Sequence, residues 1–415
     1  MPAYSSTLRP TQSQPMELIF SDSPFPTRVT KSLFLAGPSP RRADEHDWRH
    51  EALAALEQCG FDGTVYIPIP KNKFYGAAKD EASWTYVGQI SQECAGRARA
   101  DLVAFWVPRV IDRTKSDLGM PAFTTNIEFG EDLHSGKLLY GRPAFAEKCR
   151  YLDKRVEELG LPVFTTLPEL MQEAVKKLGS GSLREAGEVQ VPLFVWQSEM
   201  FQSWYRNLKQ AGNRLDDLKV LHSFRVGGHH LFSYLIGVNV WVEAEQRHKS
   251  NEIVFARKDL STLVVYHRES ATGSTNVALV REFRSTVNNA TGYVYELAGG
   301  SSVNPNLDPR VNAQQELNEE LGLLVEDLER FRPVGVRQLT ATLSSHRAHV
   351  YAVHLDSAEW AQLQKNAERD QPFGMTDDSE RTYAVITQLS DIFKLPLDYS
   401  MLGMLFEALS DTRAP

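Results

Sequence analysis

Residues 315–323 read Gln315-Glu316-Leu317-Asn318-Glu319-Glu320-Leu321-Gly322-Leu323, and this motif predicts the fold of the second half of the chain. It closes a predicted helix over residues 312–321, which the glycine ends. Glu316, Glu319 and Glu320 lie at positions i, i+3 and i+4, so a helix places all three carboxylates on one face. Such carboxylates repel one another, and a hard divalent cation such as Mg²⁺ removes that repulsion. The alternative interpretation is a solvated acidic face.

The turn before this helix reads Tyr295-Glu296-Leu297-Ala298-Gly299-Gly300, and a loop joins the two stretches. In this order they resemble the signature of the Nudix hydrolase family, and eight of the nine positions at 315–323 satisfy its second half. The resemblance implies a Nudix fold of the α+β class in which Glu316, Glu319 and Glu320 hold Mg²⁺, or Mn²⁺ in its place. It also implies that Glu319 takes part in catalysis, where the metal activates water and neutralises charge on a pyrophosphate.

Three positions depart from the Nudix signature. Gln315 replaces an arginine that braces the loop, and Ser301 stands where the first glycine of the signature belongs. The loop also lacks the usual glutamate, because Leu307 or Asp308 occupies that neighbourhood. These changes concern the brace of the loop rather than the acidic face, so they bear on the rate of hydrolysis more than on metal binding.

A second motif narrows the resemblance. Val280-Arg281-Glu282-Phe283-Arg284, followed by the turn that contains Glu296, is similar to the branch that hydrolyses ADP-ribose and nucleoside diphosphosugars. The resemblance implies that Arg281, Arg284 and Glu296 bind substrate, that Glu380 is a late acidic catalytic residue, and that the chain pairs as a homodimer. Because strand residues alternate between faces, both arginines reach one face only if the strand is bulged. Solubility of an edge strand is the alternative role for either arginine.

The first part of the chain alternates short apolar strands with helices. Strands are predicted at residues 32–36, 65–68, 102–107 and 161–164, with helices between them and a last helix over 167–178. This spacing predicts an α/β domain with a parallel, flavodoxin-like sheet that helices cover on both faces. Later in the chain, β-branched apolar runs predict a strand-rich, antiparallel second domain.

The length and composition of the chain predict an N-terminal arm and two domains. At 415 residues it is too long for one ordinary core. Residues 1–30 are rich in Ser, Pro and Thr and are predicted to form a loose arm. Domains are expected over residues 31–178 and 191–412, joined by a linker over residues 179–190 that begins Gly-Ser-Gly-Ser.

The first domain places polar residues where its strands and helices meet. Gly37 and Pro38 follow the first strand at the edge where α/β proteins bind ligands, and Arg41 stands close enough to meet a phosphate. Asn126 is a predicted helix cap, and Glu128 then lies in the first turn, where the helix dipole lowers the pKa of a carboxyl group. A carboxylate kept ionised in this way is a nucleophile. The alternatives are an ordinary strand-to-helix turn and a glutamate that serves only the dipole.

These positions belong to a longer pattern that reads Leu35-Ala36-Gly37-Pro38, Trp48-Arg49, Ala100-Asp101 and Thr125-Asn126-Ile127-Glu128-Phe129-Gly130. It resembles the nucleoside 2-deoxyribosyltransferase-like family over residues 32–178. The resemblance implies that Glu128 attacks the anomeric carbon of a nucleoside or nucleotide, the base leaves, and the sugar passes to another base or to water. Ala122 stands where the family has an aspartate, so Asp101 and Asn126 are the candidate catalytic substitutes. Aspartates before strands also serve purely structural roles.

Composition excludes several other classes of protein. The formal net charge of −8 at pH 7 argues against a general nucleic-acid or anionic-membrane surface. No apolar run approaches the roughly 20 residues of a membrane span, and no signal peptide is evident. Three cysteines, odd in number and spaced unlike metal ligands, indicate a reducing compartment. A cytoplasmic enzyme that acts on a small nucleotide is expected.

Both resemblances lead to nucleotides. The chain is therefore interpreted as a two-domain enzyme that cleaves or transfers an N-glycosidic bond in its first domain. Its second domain is expected to hydrolyse a nucleoside diphosphate linked to another moiety. One alternative is a nucleotide sensor, in which the first domain binds a ligand without turnover and regulates the Nudix half. Another is an interaction scaffold built from two inactive enzyme folds.

Overall fold

The computed structural model of this chain describes residues 15–40, 45–76, 86–115, 118–226, 230–302, 304, 307–369, 371–373 and 381–410. Contacts between Cα atoms divide the chain into two compact units, Met1–Phe255 and Ala256–Pro415. Among the described residues, no helix is both long and apolar enough to cross a membrane.

The described part of the first unit contains a six-stranded parallel sheet, a three-stranded sheet, two two-stranded sheets and several helices. Its strands are β1 (Glu17–Phe20), β2 (Arg28–Val29), β3 (Ser32–Ala36), β4 (Thr64–Ile67), β5 (Leu102–Trp106), β6 (Val110–Ile111), β7 (Gly119–Met120), β8 (Leu138–Gly141), β9 (Val163–Phe164), β10 (Arg184–Glu185), β11 (Arg214–Val226), β12 (His230–Val242) and β13 (Arg247–Arg257). Its helices are α1 (Arg49–Gln58), α2 (Lys71–Phe74), α3 (Tyr86–Arg99), α4 (Phe123–Asp132), α5 (Arg150–Glu158), α6 (Leu167–Leu178), α7 (Leu193–Trp196) and α8 (Glu199–Gln210).

The main sheet of the first unit is parallel throughout, and the order across it is β1-β4-β3-β5-β8-β9. Every residue of β3 and β5 is buried, because helices cover both faces. Leu33 and Leu35 face one apolar core, which α1 and α6 complete. Phe34 and Ala36 face the other core, which α4 and α5 complete. The predicted parallel sheet is confirmed.

Two local predictions for the first unit are wrong. The loose arm expected over residues 1–30 is wrong for its later part, because β1 pairs with β4 and buries Phe20 in the core. The helix expected to begin at Asn126 begins at Phe123, with Ala122 as its N-cap residue. Asn126 already lies inside the helix, since its backbone N–H donates to Ala122 O at 3.3 Å.

A buried ion pair joins the segment after α6 to the parallel sheet. The predicted linker over residues 179–190 lies inside the first unit, where β10 pairs with β2. Arg184 is fully buried, and its guanidinium donates to the two carboxylate oxygens of Asp101 at 2.5 and 2.7 Å. Asp101 also accepts the backbone N–H groups of Ser32 and Leu193, at 2.8 and 2.7 Å. The arrangement gives Asp101 a structural role as a brace.

We expect Arg184→Met to destabilise the first unit by about 3–5 kcal/mol, because it leaves the buried Asp101 carboxylate without its cation. Unfolding in denaturant, followed by circular dichroism, measures the change in free energy. Arg28→Met is the control, since both members of the Arg28–Glu185 pair are exposed and its loss should cost less than about 1 kcal/mol. Equal costs for the two variants would contradict the role assigned to Arg184.

The second unit is built on one mixed sheet. Its strands are β14 (Leu260–Arg268), β15 (Thr275–Phe283), β16 (Tyr293–Glu296), β17 (Ala298–Gly300), β18 (Arg332–Gln338), β19 (Arg347–His354) and β20 (Tyr383–Gln388). Its helices are α9 (Pro309–Leu321), α10 (Ser357–Glu368) and α11 (Tyr399–Ser410).

The sheet of the second unit has helices on both faces. Its order is β16-β15-β14-β19-β18, with β17 paired to β14 and β20 paired to β15. The expected antiparallel pairing holds for β14–β15, β15–β16, β15–β20 and β18–β19, but β14 and β19 are parallel. Leu263 and Val265 face a core that α9 and α10 share, whereas Val264 faces a core that α11 completes. This alternation separates an α9 face from an α11 face.

Helix α9 begins and ends where its sequence supplies caps. The Asp308 side chain accepts the Arg310 backbone N–H at 2.7 Å, and Pro309 takes the first helical position. Gly322 follows the helix in the left-handed conformation, with φ of 65°. The predicted helix over residues 312–321 is confirmed, and it begins earlier than expected, at Pro309. Leu317 on this helix is fully buried against the sheet, which fixes the direction of its neighbouring glutamates.

Candidate functional site

The carboxylates of α9 meet the short strand β17. Glu320, which is buried, accepts the backbone N–H of Gly299 through Oε2 at 2.8 Å. Glu316 lies against the next residue, since a Cβ atom built on Gly300 would be 2.9 Å from its Cδ and would collide with Oε1. The buried Asn312 donates to Gly300 O at 2.9 Å and holds the strand to the helix. Two of the three predicted metal ligands therefore converge on one pair of glycines.

Glu319, the third predicted ligand, is exposed on the same helix. Within the described ranges, no group of three or more His, Cys, Asp or Glu side chains is arranged to hold a metal ion. The residues fit a hard divalent cation in two respects. Their carboxylate oxygens are donors that Mg²⁺ prefers, and the absence of a Cβ atom at Gly300 leaves room for the Glu316 carboxylate itself. By donor chemistry, the three glutamates form a candidate metal centre.

We expect Gly300→Ala to leave the fold intact and to weaken metal binding strongly. The added methyl group meets the end of the flexible Glu316 side chain, which moves away and is lost as a ligand. Thermal unfolding and titration with Mn²⁺, followed by electron paramagnetic resonance, measure the two effects.

Gly299→Ala is the matched control for this variant. Its methyl group meets backbone atoms of β14, with Thr262 Cα at 2.9 Å, and should destabilise the unit by about 1–3 kcal/mol. A Gly300→Ala protein that binds Mn²⁺ as the wild type does would refute the role given to Glu316.

Basic side chains approach the two residues that follow the glycine pair. Arg257 donates to Ser301 Oγ at 3.0 Å, and Lys258 donates to Ser302 O at 3.3 Å. Burial lowers the pKa of both basic groups, and the charge of Arg284 lowers the pKa of Arg257 further. We call Arg257, Lys258 and Arg284 the basic cluster. Arg257 and Lys258 of this cluster contact Ser301 and Ser302, which directly follow the two glycines that the α9 carboxylates contact.

The two strand arginines lie on opposite faces of the sheet. The register of β15 with β16 and β20 is unbroken up to the last strand residue, Phe283, so the strand has no bulge, and Arg284 follows directly after it. Arg281 lies over the rings of Tyr293 and Tyr383, at 5.3 and 4.8 Å from their centroids. Arg284 instead forms an ion pair with Glu296 at 2.9 Å. Glu296 is paired with Val280 of β15, and Val280 belongs to the core that α9 and α10 share. Arg284 and Glu296 therefore belong to the α9 face, and Arg281 does not.

In the first unit, Gly37 lies where the strand order reverses. The strands β4, β3, β5, β8 and β9 come second, first, third, fourth and fifth along the chain, so the reversal falls between β3 and β5, where open α/β sheets bind ligands. A Cβ atom on Gly37 would collide with Trp106 O at the end of β5. Trp48 Nε1 donates to Pro38 O at 3.1 Å, and the fully buried Arg49 donates to Gly37 O at 2.8 Å. These bonds fix the loop after β3.

Glu128 lies in the middle of α4, half-buried, near a second carboxyl group. Burial raises the pKa of Glu128 to about 7; the charge of Arg97 opposes this shift, and that of Glu93 on α3 adds to it. Burial also raises the pKa of Glu93, whose Oε1 accepts a hydrogen bond from Gln89 at 2.7 Å. The predicted lowering of the Glu128 pKa by the helix dipole is wrong, because Glu128 lies beyond the first turn and loses its hydration. Gln89, which bonds Glu93, also donates to Pro68 O just after β4 at 3.3 Å, so Glu93 lies at the edge where the strands end, and the charge of Arg49 acts on both carboxyl groups.

The other two candidate catalytic residues of the first unit, Asn126 and Asp101, bond to side chains other than that of Glu128. Asn126 is exposed, and its Oδ1 accepts a hydrogen bond from Arg109 at 2.5 Å. Asp101 precedes β5 and so lies at the opposite end of that strand from the Gly37 loop. Two further predicted residues, one in each unit, lie outside the described residues: Arg41 and Glu380.

Four further residues lie near these sites and belong to none of the sequence motifs: Glu93, Arg257, Lys258 and His346. Burial, and then the charge of Arg257, lower the pKa of the His346 imidazole, whose buried Nδ1 has no hydrogen-bond partner among the described residues. The available signal for Arg257 and Lys258 is that they are adjacent cations just before a strand. Their position near the site follows from the pairing of β14 with β17, which places Ser261, early in β14, opposite Gly300. Glu93 carries no local signal, because its partner is on another helix.

No family model matches this sequence. No curated protein matches it either.

Three solved structures are similar to parts of the chain. The NUDIX domain of Shewanella oneidensis NrtR, complexed with ADP ribose, is 11% identical, with 37% of this chain and 86% of that chain covered and a TM-score of 0.27. A mutT/nudix family protein from Listeria innocua is 18% identical, with coverage of 37% and 92% and a TM-score of 0.28. An ADP compounds hydrolase is 13% identical, with coverage of 48% and 95% and a TM-score of 0.30. These TM-scores are too low to establish a shared fold.

Proposed function

We propose that the second unit is a Mg²⁺-dependent hydrolase of the Nudix type that cleaves a nucleoside diphosphate linked to another moiety, such as ADP-ribose. The observation that carries the proposal is the order of contacts along residues 299–302. The first two of these residues meet the carboxylates of α9, and the last two meet Arg257 and Lys258. Because consecutive Cα atoms are about 3.8 Å apart, the acidic and basic contacts fall within roughly 12 Å along the chain. A diphosphate bridges groups of both kinds.

Each group has a role in that reaction. Glu316, Glu319 and Glu320 would hold the cation, which when bound supplies an activated water molecule and offsets charge on the diphosphate. The basic cluster supplies guanidinium and ammonium donors for phosphate oxygens, which position the diphosphate and stabilise the charge of the departing group. Glu296 orients Arg284 by its ion pair and keeps that guanidinium on the α9 face.

A substrate screen tests this proposal. The full-length chain is incubated with ADP-ribose, NAD, nucleoside diphosphosugars and deoxynucleoside triphosphates, in Mg²⁺ or in EDTA. Chromatography then measures nucleoside monophosphate and free base separately. Monophosphate that forms only in Mg²⁺ supports the proposal and names the substrate, whereas its absence from every reaction would overturn it.

We propose that the parallel sheet of the first unit is flavodoxin-like and that this unit has a second activity: cleavage or transfer of an N-glycosidic bond. The supporting observation is the pair of carboxyl groups, Glu93 and Glu128, of which Glu93 lies at the edge where the strands end. One carboxylate attacks the anomeric carbon and forms a glycosyl ester, while the other, protonated, gives its proton to the departing base. Water or a second base then takes the sugar and frees the carboxylate.

The two activities combine on one class of substrate. Loss of nicotinamide from NAD leaves ADP-ribose, and hydrolysis of the ADP-ribose diphosphate gives AMP. We propose that the chain carries out these two reactions in this order, one at each of the two sites. If the full-length chain in Mg²⁺ releases neither nicotinamide from NAD nor AMP from ADP-ribose, this proposal fails.

We expect Glu128→Gln to raise the melting temperature of the first unit at pH 8 and to have less effect near pH 4.5. Burial raises the pKa of Glu128 from its ordinary 4.5 to about 7, so the folded chain binds this proton more tightly than the unfolded chain. The penalty for the buried charge therefore grows as the pH rises from 4.5 to about 7, and it persists above that. Scanning fluorimetry across this range, with the exposed Glu57→Gln as control, measures the effect. A difference that is constant with pH would refute the burial of the Glu128 charge.

A further inference from the structure

A cavity of about 550 Å³ opens in the first unit, at the edge of the parallel sheet where the strands begin. Leu102 and Leu138, the first residues of β5 and β8, line it. Gly37 lies at the other edge, where the strands end, and neither Glu93 nor Glu128 lines the cavity. The cavity is therefore separate from the carboxyl pair described above.

The lining of this cavity combines eight apolar side chains with seven polar ones, of which four are charged. Its volume falls in the range of sites that bind small molecules, and such sites are mostly apolar with few polar groups. The apolar lining residues are Leu102, Leu133, Leu138, Leu159, Leu161, Leu178, Leu193 and Phe194. A ligand of matching character has an apolar body and few polar atoms.

The charges at the cavity favour an anion. Arg225 and Lys177 line it, and the Arg225 guanidinium lies 4.8 Å from the centroid of the Phe194 ring. Each of the two lining carboxylates already has a cationic partner: Asp101 pairs with Arg184, and Glu158 pairs with Arg155. Lys177 has a distant acidic partner, Glu173 at 3.9 Å, so Arg225 is the principal candidate to bind an anion. Burial lowers the pKa of Arg225, so an anionic group beside it would relieve the cost of its desolvated charge.

Gly136 sets the position of Arg225 at the cavity. A Cβ atom there would lie 2.7 Å from Ser223 Oγ, 3.0 Å from Phe194 Cζ and 3.2 Å from a terminal guanidinium nitrogen of Arg225. The glycine also has a φ of 77°, which other residues rarely adopt. The backbone therefore approaches Ser223 more closely than a Cβ atom allows, and it packs tightly against Phe194 and the Arg225 guanidinium.

We propose that this cavity binds a small organic anion, with a carboxylate or phosphate against Arg225 and Lys177 and an apolar body against the leucines. The site is independent of both proposed activities. Its ligand is defined by chemistry: one anionic head group on an aliphatic or aromatic body.

Displacement of a fluorescent probe tests this site. The full-length chain is loaded with anilinonaphthalene sulfonate and titrated with octanoate, octyl phosphate, octanol and octylamine. We expect octanoate or octyl phosphate to displace the probe at least about 10-fold more strongly than octanol or octylamine, because a charge-assisted hydrogen bond discriminates the head group. The preferred anion, carboxylate or phosphate, identifies the head group.

Three variants assign the signal to the cavity. Arg225→Met should weaken binding of the preferred anion about 10-fold or more. Lys177→Glu should weaken it as well, and it is an exposed position whose change is safe for folding. Arg247→Met, an exposed arginine on β13, is the control and should bind as the wild type does. Equal displacement by octanol and octanoate, or wild-type binding in both cavity variants, would overturn the proposal.

Discussion

Glu320→Gln and Glu316→Gln should each reduce the Mg²⁺-dependent release of nucleoside monophosphate by at least about 100-fold. Loss of a partner in the outer shell of a metal costs 10–100-fold in affinity or activity, and loss of a direct ligand should cost no less. Glutamine keeps the shape of the side chain, and its amide oxygen still accepts the Gly299 N–H that Glu320 now accepts. The fold should therefore persist while the charge that attracts the cation is lost. Initial rates at saturating substrate, over a range of Mg²⁺ concentrations, measure the loss.

Glu326→Gln is the control for these variants, because this glutamate is exposed in the same unit and lies beyond the end of α9. Its rate should equal that of the wild type. Glu319→Gln tests the third predicted ligand, which is exposed in the structure, and should show a comparable loss if it completes the metal centre. Retention of the full rate in both Glu316→Gln and Glu320→Gln would remove the acidic face from the mechanism.

Glu128→Ala should abolish release of free base, with a loss of at least about 1,000-fold, because removal of a nucleophile eliminates the covalent route. The rate of base release in the wild type should rise with pH up to about 7, since the carboxyl group must be ionised to attack and burial raises its pKa to about that value. Glu93→Gln should lower the rate of base release at least about 100-fold, because it removes the carboxyl group that gives its proton to the departing base. Base release from NAD and from nucleosides, measured by chromatography, gives these rates.

The outcome for Glu128 also separates an enzyme from a sensor. Glu57→Ala, an exposed change on α1, is the control and should leave base release unchanged. If the wild type releases no base, and Glu128→Ala changes how an added nucleotide affects monophosphate formation, the first unit is a sensor. Base release that survives in Glu128→Ala would exclude this glutamate as the nucleophile.

The acidic helix was predictable because its information is local. Three carboxylates at helical spacing and the glycine that ends the helix lie within seven residues, from Glu316 to Gly322, whereas the start predicted at residue 312 left out the cap Asp308 and Pro309. The parallel sheet was predictable for the same reason, since each strand is a short apolar run between helices. Local patterns of this kind survive in the folded chain, because packing agrees with them.

The rest of the site depends on pairings between distant segments. Arg257 and Lys258 lie near the α9 carboxylates because β17 pairs with β14. Glu93 acts on Glu128 because α3 lies beside α4. The dipole argument for Glu128 was wrong because the helix begins at Phe123, and burial then outweighs the dipole. The domain boundaries, the homodimer and the cytoplasmic location stay predictions.

Binding of Mn²⁺ to the full-length chain tests the central claim most directly, because it measures the metal centre without the assumption of a substrate. Electron paramagnetic resonance counts free and bound Mn²⁺ for the wild type, Glu316→Gln, Glu320→Gln and Glu326→Gln. We expect the wild type and Glu326→Gln to bind Mn²⁺ alike and Mg²⁺ to compete for the same site. The other two variants should bind at least about 10-fold more weakly, which would establish the metal centre. Equal binding by all four proteins, or no binding by the wild type, would contradict it.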